Sequence, residues 1–273
     1  MNYDPIKETL GRLFNRFAFT RRIFYYLLDI LLLRTWHIHR ELRQFSLSKS
    51  RVNGIKVLDA GSGFGQYSYF LARKNPAWSI LGTDVKAEEI EACRKFFKKA
   101  GLKNTSFEEG DLTTFRIDNA FDLILSVDVM EHIEPDEQVF SHFYHSLKSG
   151  GMLLISTPSD QGGSGVESHG DESFIGEHVR DGYGMQEITE KLKRAGFEQV
   201  EAKYTYGKPG KISWRLSMKY PIQLLGVSKL FLILLPFYYL LIMPFALLLN
   251  LADVKIKHKS GTGLMVKAFK NVS

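Results

Sequence analysis

Asp59-Ala60-Gly61-Ser62-Gly63-Phe64-Gly65, entered from the apolar run Ile55-Lys56-Val57-Leu58, is the stretch on which the fold turns. A short run of strand-forming residues that breaks into closely spaced glycines reads as a strand turning into a helix. Glycine allows left-handed backbone angles there and removes the Cβ atoms that would hold a ligand off the backbone. The glycines stand at 61, 63 and 65, with a carboxylate two residues before the first. The dinucleotide pattern G-x-G-x-x-G would need glycine at 66, where the chain has Gln66.

Outward from that turn, apolar runs alternate with helical patterns, the mark of a parallel sheet covered by helices on both faces. Strands are predicted at Ile55 to Ala60, Ser79 to Asp84, Thr105 to Glu109, Phe121 to Val127, Met152 to Thr157, Phe197 to Tyr206 and Gly263 to Phe269. Helices are predicted from Phe64 to Lys74, Lys86 to Ala100, Glu134 to Lys148 and Met185 to Ala195, with Gly101, Gly150-Gly151 and Gly196 as C-terminal stops. The fold class is α/β: a Rossmann-like, doubly wound, seven-stranded sheet with the last strand antiparallel, N-terminal helices, and a hydrophobic helical insertion before the last strand. Between Ser159 and Tyr183 the chain is rich in Gly, Ser and acids, and a stretch of that length is a candidate lid.

Alternating glycines behind a strand-terminal acid resemble the first motif of the class I S-adenosylmethionine-dependent methyltransferases, and the resemblance runs from about Ile55 to Tyr206. It implies S-adenosyl-L-methionine as cofactor. Asp59 would face the ammonium of its methionine part through water, and Gly61, Ser62, Gly63 and Gly65 would offer backbone N–H groups to its carboxylate. Asp84 ends the second strand, where a carboxylate accepts from ribose hydroxyls, with Val85 beside it. Gly110-Asp111-Leu112 resembles the family's adenine contact, and Ser126 closes the pocket.

Ser126-Val127-Asp128-Val129-Met130-Glu131-His132-Ile133 resembles the fourth-strand motif of small-molecule methyltransferases, among them the quinone-biosynthesis O-methyltransferases. A helix beginning near Asp128 would put Asp128, Glu131 and His132 on one face. Three readings stand open. His132 or Asp128 is the base for a substrate hydroxyl; the trio holds a divalent ion; or Glu131 and His132 only brace the turn. The catalytic candidates are His132 and Asp128, and no metal ligand is assigned. Gly176 to Tyr183 resembles a stretch preceding the last long helix of many relatives, with His178, Arg180 and Tyr183 as candidate substrate contacts or ordinary loop residues.

Leu230 to Ala252 holds no charged residue and is long enough to span a bilayer. A strand at Gly263 to Phe269 must nevertheless rejoin the sheet, so a membrane-bound segment has to dip and return or lie flat in the interface; the alternative is a hydrophobic cap over the cleft or a dimer interface. Pro236 and Pro244 offer bends, and Lys255, Lys257 and Lys259 follow. Ile23 to Leu33 reads as an amphipathic helix beside the insertion. The chain of 273 residues thus divides into an N-terminal helical segment (1–50), a core (51–206), a membrane-associating insertion (207–254) and a last strand (255–273).

The net charge of +6 draws on Arg12, Arg16, Arg21, Arg22, Arg34, Arg40 and the lysines at 255–259, all flanking apolar segments; this suits an anionic membrane better than nucleic acid. One cysteine, Cys93, excludes an internal disulfide. The start of the chain lacks the basic-then-apolar pattern of a secretory signal. Together these point to methyl transfer, with oxygen the expected acceptor, onto a lipophilic small molecule such as a quinone precursor, an aryl polyene or a lipid, at the cytoplasmic face of a membrane. The rival readings are a non-catalytic membrane adaptor with the same fold and an RNA methyltransferase.

Overall fold

The computed structural model describes residues 18–49, 52, 54–162, 179–228 and 230–271. Helices α1 (Ala18–Leu31) and α2 (Leu33–Ser48) lead into β1 (Lys56–Ala60), α3 (Gln66–Lys74), β2 (Ser79–Asp84), α4 (Ala87–Ala100), β3 (Thr105–Glu109) and β4 (Phe121–Val127). After a 3-10 turn at Met130–His132 come α5 (Asp136–Ser146), β5 (Leu147–Pro158), α6 (Met185–Arg194) and β6 (Gln199–Thr205). Then α7 (Lys208–Trp214), a π-helical stretch Arg215–Lys219, α8 (Tyr220–Val227) and α9 (Phe231–Lys255) precede β7 (Gly263–Phe269).

The seven strands form one sheet in the order β3-β2-β1-β4-β5-β7-β6. All pairs are parallel except those of β7, which runs antiparallel to both β5 and β6. Successive residues of the central strands feed opposite faces, as the pleat requires. Leu58, Ile124, Leu153, Ile155 and Val266 pack under α5 and α6 with Phe140, Phe143, Ile188 and Leu192. Val57, Leu123, Leu125, Leu154 and Met265 face the other way, against Ile38, Leu42 and Phe45 of α2 and Leu71 of α3. So α2 covers one face of the sheet as a core helix.

Two boundaries differ from the sequence reading. The fifth helix ends at Ser146, and the strand begins at Leu147, which pairs with Phe121 before a register shift. Gly150, at φ 70°, absorbs that irregularity inside the strand, where a helix stop had been expected. The expected continuous helix at Ile23 to Leu33 is broken at Leu32, which is extended (φ −90°, ψ 110°). That break meets the base of the insertion at Ser213, Trp214 and Asn250.

Arg21 and Arg40 of the N-terminal helices are bound to the protein's own backbone. Arg21 is 2% exposed. Its guanidinium donates to the carbonyls of Ala92 (2.9 Å) and Phe64 (2.8 Å). Arg40 donates to the Val254 carbonyl. A lipid-facing role for these two, expected from sequence, is excluded, because isolated basic side chains drawn over a core find backbone acceptors there. Cys93 lies fully buried beneath Arg21, and burial pushes its thiol up to about 12.

The insertion is a helical hairpin. Gly210 N bonds Asp253 Oδ2 at 2.9 Å, Ser213 Oγ donates to the Ala246 carbonyl at 3.0 Å, and the hydroxyls of Tyr238 and Tyr239 donate to the carbonyls of Leu216 and Ser217. Partners ascend on one leg as they descend on the other, so the legs are antiparallel. Asp253, fully buried, closes the root: besides Gly210 it accepts from Tyr206 N (3.2 Å) and shares a 2.8 Å bond with His37 Nε2 of α2. Asp253→Ala strands these donors in an apolar setting and is expected to cost about 2–4 kcal/mol, read as a lower urea midpoint with an unchanged slope.

Candidate cofactor cleft

The order β2-β1-β4 puts the carboxyl ends of β1 and β4 side by side with their chains departing in opposite directions, the crevice where such sheets take a ligand. The turn after β1 is tied to its neighbour, since Gly61 N and Ser62 N both donate to the Thr83 carbonyl, at 2.9 and 2.8 Å. All three glycines take positive φ (77°, 46° and 71° for Gly61, Gly63 and Gly65). Their surroundings separate them. A Cβ on Gly61 would strike Val129 at 2.3 Å, and one on Gly65 would press on Phe97 and Cys93 at 3.0 and 3.1 Å; one on Gly63 meets nothing within 4 Å. Gly61 and Gly65 are demanded by packing, whereas Gly63 borders open space.

Carboxylates stand around that space. Asp59, 2% exposed, accepts from Ser68 N at 3.1 Å and Ser68 Oγ at 2.6 Å. Burial pushes its carboxyl up to about 6 against the pull of Ser68. Asp84 accepts from Gly63 N and Lys86 N, each at 2.9 Å, so it braces the glycine turn from the end of β2. One oxygen of Asp111 takes both Thr113 N and Thr113 Oγ1 at 2.8 Å, a local turn. Gly110 leaves room for Thr83 Oγ1, 2.6 Å from where a Cβ would sit. Val85 is 59% exposed beside the cleft, whereas Leu112 is buried in the core cluster under α5.

Three buried hydroxyls, Ser62 Oγ, Thr83 Oγ1 and Ser126 Oγ, have no hydrogen-bond partner within the protein. Orphan polar groups of this kind are uncommon inside proteins and mark a place where a further partner belongs. Carboxylates already bonded on one side retain acceptor capacity on the other. The residues therefore fit a small polar ligand with an amino-acid end and a hydroxylated ring.

Beyond β4 the structure departs from the predicted helix. Asp128 N continues the sheet by donating to Ser156 O at 2.8 Å, and Asp128 itself turns at φ 51°. His132 N then reaches Val129 O at 3.0 Å in a 3-10 turn, and Pro135 delays the helix. Asp128, Glu131 and His132 do not share a helical face. Asp128 is ion-paired with Arg34 of α2, Glu131 turns inward to Thr157 Oγ1 at 3.1 Å, and His132 is half-buried. Among the described residues no group of three His, Cys, Asp or Glu is arranged to hold a metal ion.

Glu131 is the group whose chemistry sequence reasoning underrated. It is 1% exposed, and burial pushes its carboxyl up to about 7, opposed by the Thr157 hydroxyl and by Arg34 and Arg180. The Arg34 to Asp128 pair was equally hidden, because nothing local in either segment announces a partner so distant in the chain. Of the candidate substrate contacts, His178 lies outside the described residues. Tyr183 is fully buried, its hydroxyl donating to Asp136 at 2.7 Å and lying 3.1 Å from Met130 O, and Arg180 pairs with the same Asp136. Those two fasten the chain before α6 to the start of α5.

Residues 51–206 match the family described as Methyltransferase domain, more than half of the chain, and the chain belongs to that family. Among curated relatives, phosphoethanolamine N-methyltransferase 1 of Arabidopsis thaliana is 32% identical over 158 residues, 55% of this chain and 30% of the plant protein. The malonyl-[acyl-carrier protein] O-methyltransferase of a Paenibacillus species is 26% identical over 187 residues, 59% of this chain and 64% of that protein. The chain thus spans about a third of the length of the plant relatives it matches. The fold is shared with Haemonchus contortus phosphoethanolamine N-methyltransferase 2, solved with phosphomonomethylethanolamine and S-adenosylhomocysteine. The TM-score is 0.58 at 20% identity, over 84% of this chain and 52% of that one.

The folded value of Glu131 lies above its ordinary one of 4.5, so the native state holds this proton more tightly than the unfolded chain. The associated stability is complete below the ordinary value and is lost as pH rises through about 7. Urea denaturation at mildly acidic and mildly alkaline pH is expected to show this loss in the parent and to lack it in Glu131→Gln.

Proposed function

We propose that this chain is an S-adenosyl-L-methionine-dependent methyltransferase acting on a lipophilic small molecule, with oxygen the expected acceptor, at the cytoplasmic face of a membrane. The observation that carries the reading is the open space at Gly63, whose N–H is held by Asp84, together with the unpartnered buried hydroxyls of Ser62 in the same turn and of Thr83 and Ser126 on the adjoining strands. Membership of the methyltransferase domain family supports the reaction class. Relatives that methylate nitrogen and oxygen acceptors fit a donor site common to different acceptors.

When bound, S-adenosyl-L-methionine supplies an electrophilic methyl group on a sulfonium. The first turn would hold its amino-acid end, with the unpartnered Ser62 hydroxyl toward the carboxylate and Asp59 toward the ammonium. Asp84 would receive the ribose hydroxyls. Val85, Gly110 and Asp111 would border the adenine, and Leu112, expected there from sequence, packs behind them in the core. Much of the rate of a methyl transfer comes from positioning. His132, half-buried in the turn that follows β4, is our choice of base for the acceptor's proton. Asp128, tied to Arg34, serves better to orient than to take a proton. The apolar hairpin supports the lipophilic acceptor and the membrane location, since an acceptor dissolved in lipid has to be met there.

Gly63→Val places a branched side chain in the opening while leaving the packing of Gly61 and Gly65 intact. Calorimetry with S-adenosyl-L-methionine is expected to show at least about a hundredfold loss of affinity, that is about 3 kcal/mol, with a native circular dichroism spectrum. Unchanged affinity would overturn the site. In the parent protein the same affinity is expected to fall as pH drops through about 6, where Asp59 takes up a proton and its attraction for an ammonium is lost. Asp59→Asn should flatten that profile.

A further inference from the structure

Helix α9 is apolar around its whole girth, yet the structure divides it sharply. Ala246, Asn250 and Asp253 are buried against the rest of the protein. On the opposite side Ile233, Leu234, Phe237, Leu240, Leu241, Phe245, Leu248 and Leu251 are 42–75% exposed. Steps of three and four residues join these into one stripe, which at 1.5 Å per residue runs about 27 Å along the helix. A bare aliphatic and aromatic stripe of that length needs a covering.

We propose that α9 lies in the plane of an anionic bilayer, its stripe sunk into one leaflet along the entire length, with α7 and α8 in the headgroup layer above it. This rests on the membrane location proposed above and decides how the membrane is met. Three observations select the in-plane arrangement over a hairpin driven in tip first. Exposure holds to within one turn of the root, since Leu248 at 65% matches Phe237 at 66% and the fall comes only at Leu251, at 42%. A tip-first hairpin would leave the root end in water.

Charge separates the two arrangements as well. Lys208, Lys211, Arg215 and Lys219 recur at three- and four-residue steps on the leg behind α9, while Gly210, Ser213 and Ser217 of that leg are buried. Tip-first insertion would carry Lys219 toward hydrocarbon, at a cost of a few kcal/mol per charge. Lying flat, α9 occupies the outermost 5–10 Å of the acyl region, about the depth of an interfacial helix, and the basic leg stays among phosphates. Lys255, Lys257 and Lys259 follow directly at the end of the stripe. Third, Asp253 fastens the last turn of α9 to α2 and α7, so the root cannot travel away from the core as a spanning helix would.

The test uses the full chain with single cysteines at Leu234, Leu241 and Leu248, each carrying an environment-sensitive fluorophore; native Cys93 is buried and its thiol is pushed up to about 12, which keeps it unlabelled. Vesicles of phosphatidylcholine with and without phosphatidylglycerol carry nitroxide quenchers at shallow or deep acyl positions. The expected result is equal quenching at all three sites, stronger with the shallow quencher, and binding at least about tenfold weaker without phosphatidylglycerol. Deep quenching at Leu234 that fades toward Leu248 would overturn the in-plane arrangement and favour a tip-first hairpin. Absence of quenching, with a concentration-dependent dimer in sedimentation, would overturn it in favour of a second copy of the chain on the stripe. Calorimetry with S-adenosyl-L-methionine on the same labelled proteins reports the donor site separately, so failure of the membrane arrangement and failure of the methyltransferase reading are told apart.

Discussion

The position of β7 constrains everything after residue 206. It lies between β5 and β6, hydrogen-bonded on both sides over seven residue pairs each. The chain that leaves β6 must therefore come back to the same edge of the sheet, whatever it builds in between. A helix as long and apolar as Phe231–Lys255 meets the length and composition of a membrane span. Its end is nevertheless held at the core by Asp253, whose carboxylate serves backbone on α7, the end of β6 and a histidine of α2 at once. A buried carboxylate is tolerable only when its lone pairs are met, and here meeting them draws together elements from both ends of the chain.

A second economy appears at the mouth of the sheet. Of the glycines in the first turn, one yields to Val129 beyond β4 and another to the aromatic packing of α4, which leaves Gly63 alone facing open volume. The backbone N–H of Gly63 is anchored by Asp84, so the turn is held in shape before any ligand arrives. Preorganisation of this sort reduces the ordering cost of binding.

Much of this was legible from residue order. Strands such as Phe121–Val127 and Gly263–Phe269 are predominantly apolar runs of the kind that a sheet covered on both faces accommodates, and they lie where the sequence pattern put them. The acid and glycine spacing around Asp59 located the cleft because it is a local signal. Side-chain destinations were not legible. Arg21 and Arg34 look like surface charge in a basic, apolar segment, and only the packing of α1 and α2 on the core reveals one beneath the protein surface and the other clasping Asp128. The turn after β4 misled for a related reason. Its residues suit a helix, but the N–H of Asp128 is captured by β5, and Pro135 postpones the helix to Asp136.

The interleaving of β7 also bears on where this protein can be cut. The stretch from 51 to 206 matches the family on its own, yet excising it would remove the strand that separates β5 from β6 and the helix that covers Val57, Leu123 and Leu154. Two sticky strand margins and a bare apolar sheet face would then be open to other chains, the situation in which β-proteins aggregate. The minimal folding unit is accordingly discontinuous, borrowing from both termini, and the hairpin hangs from its interior like a handle on a closed loop.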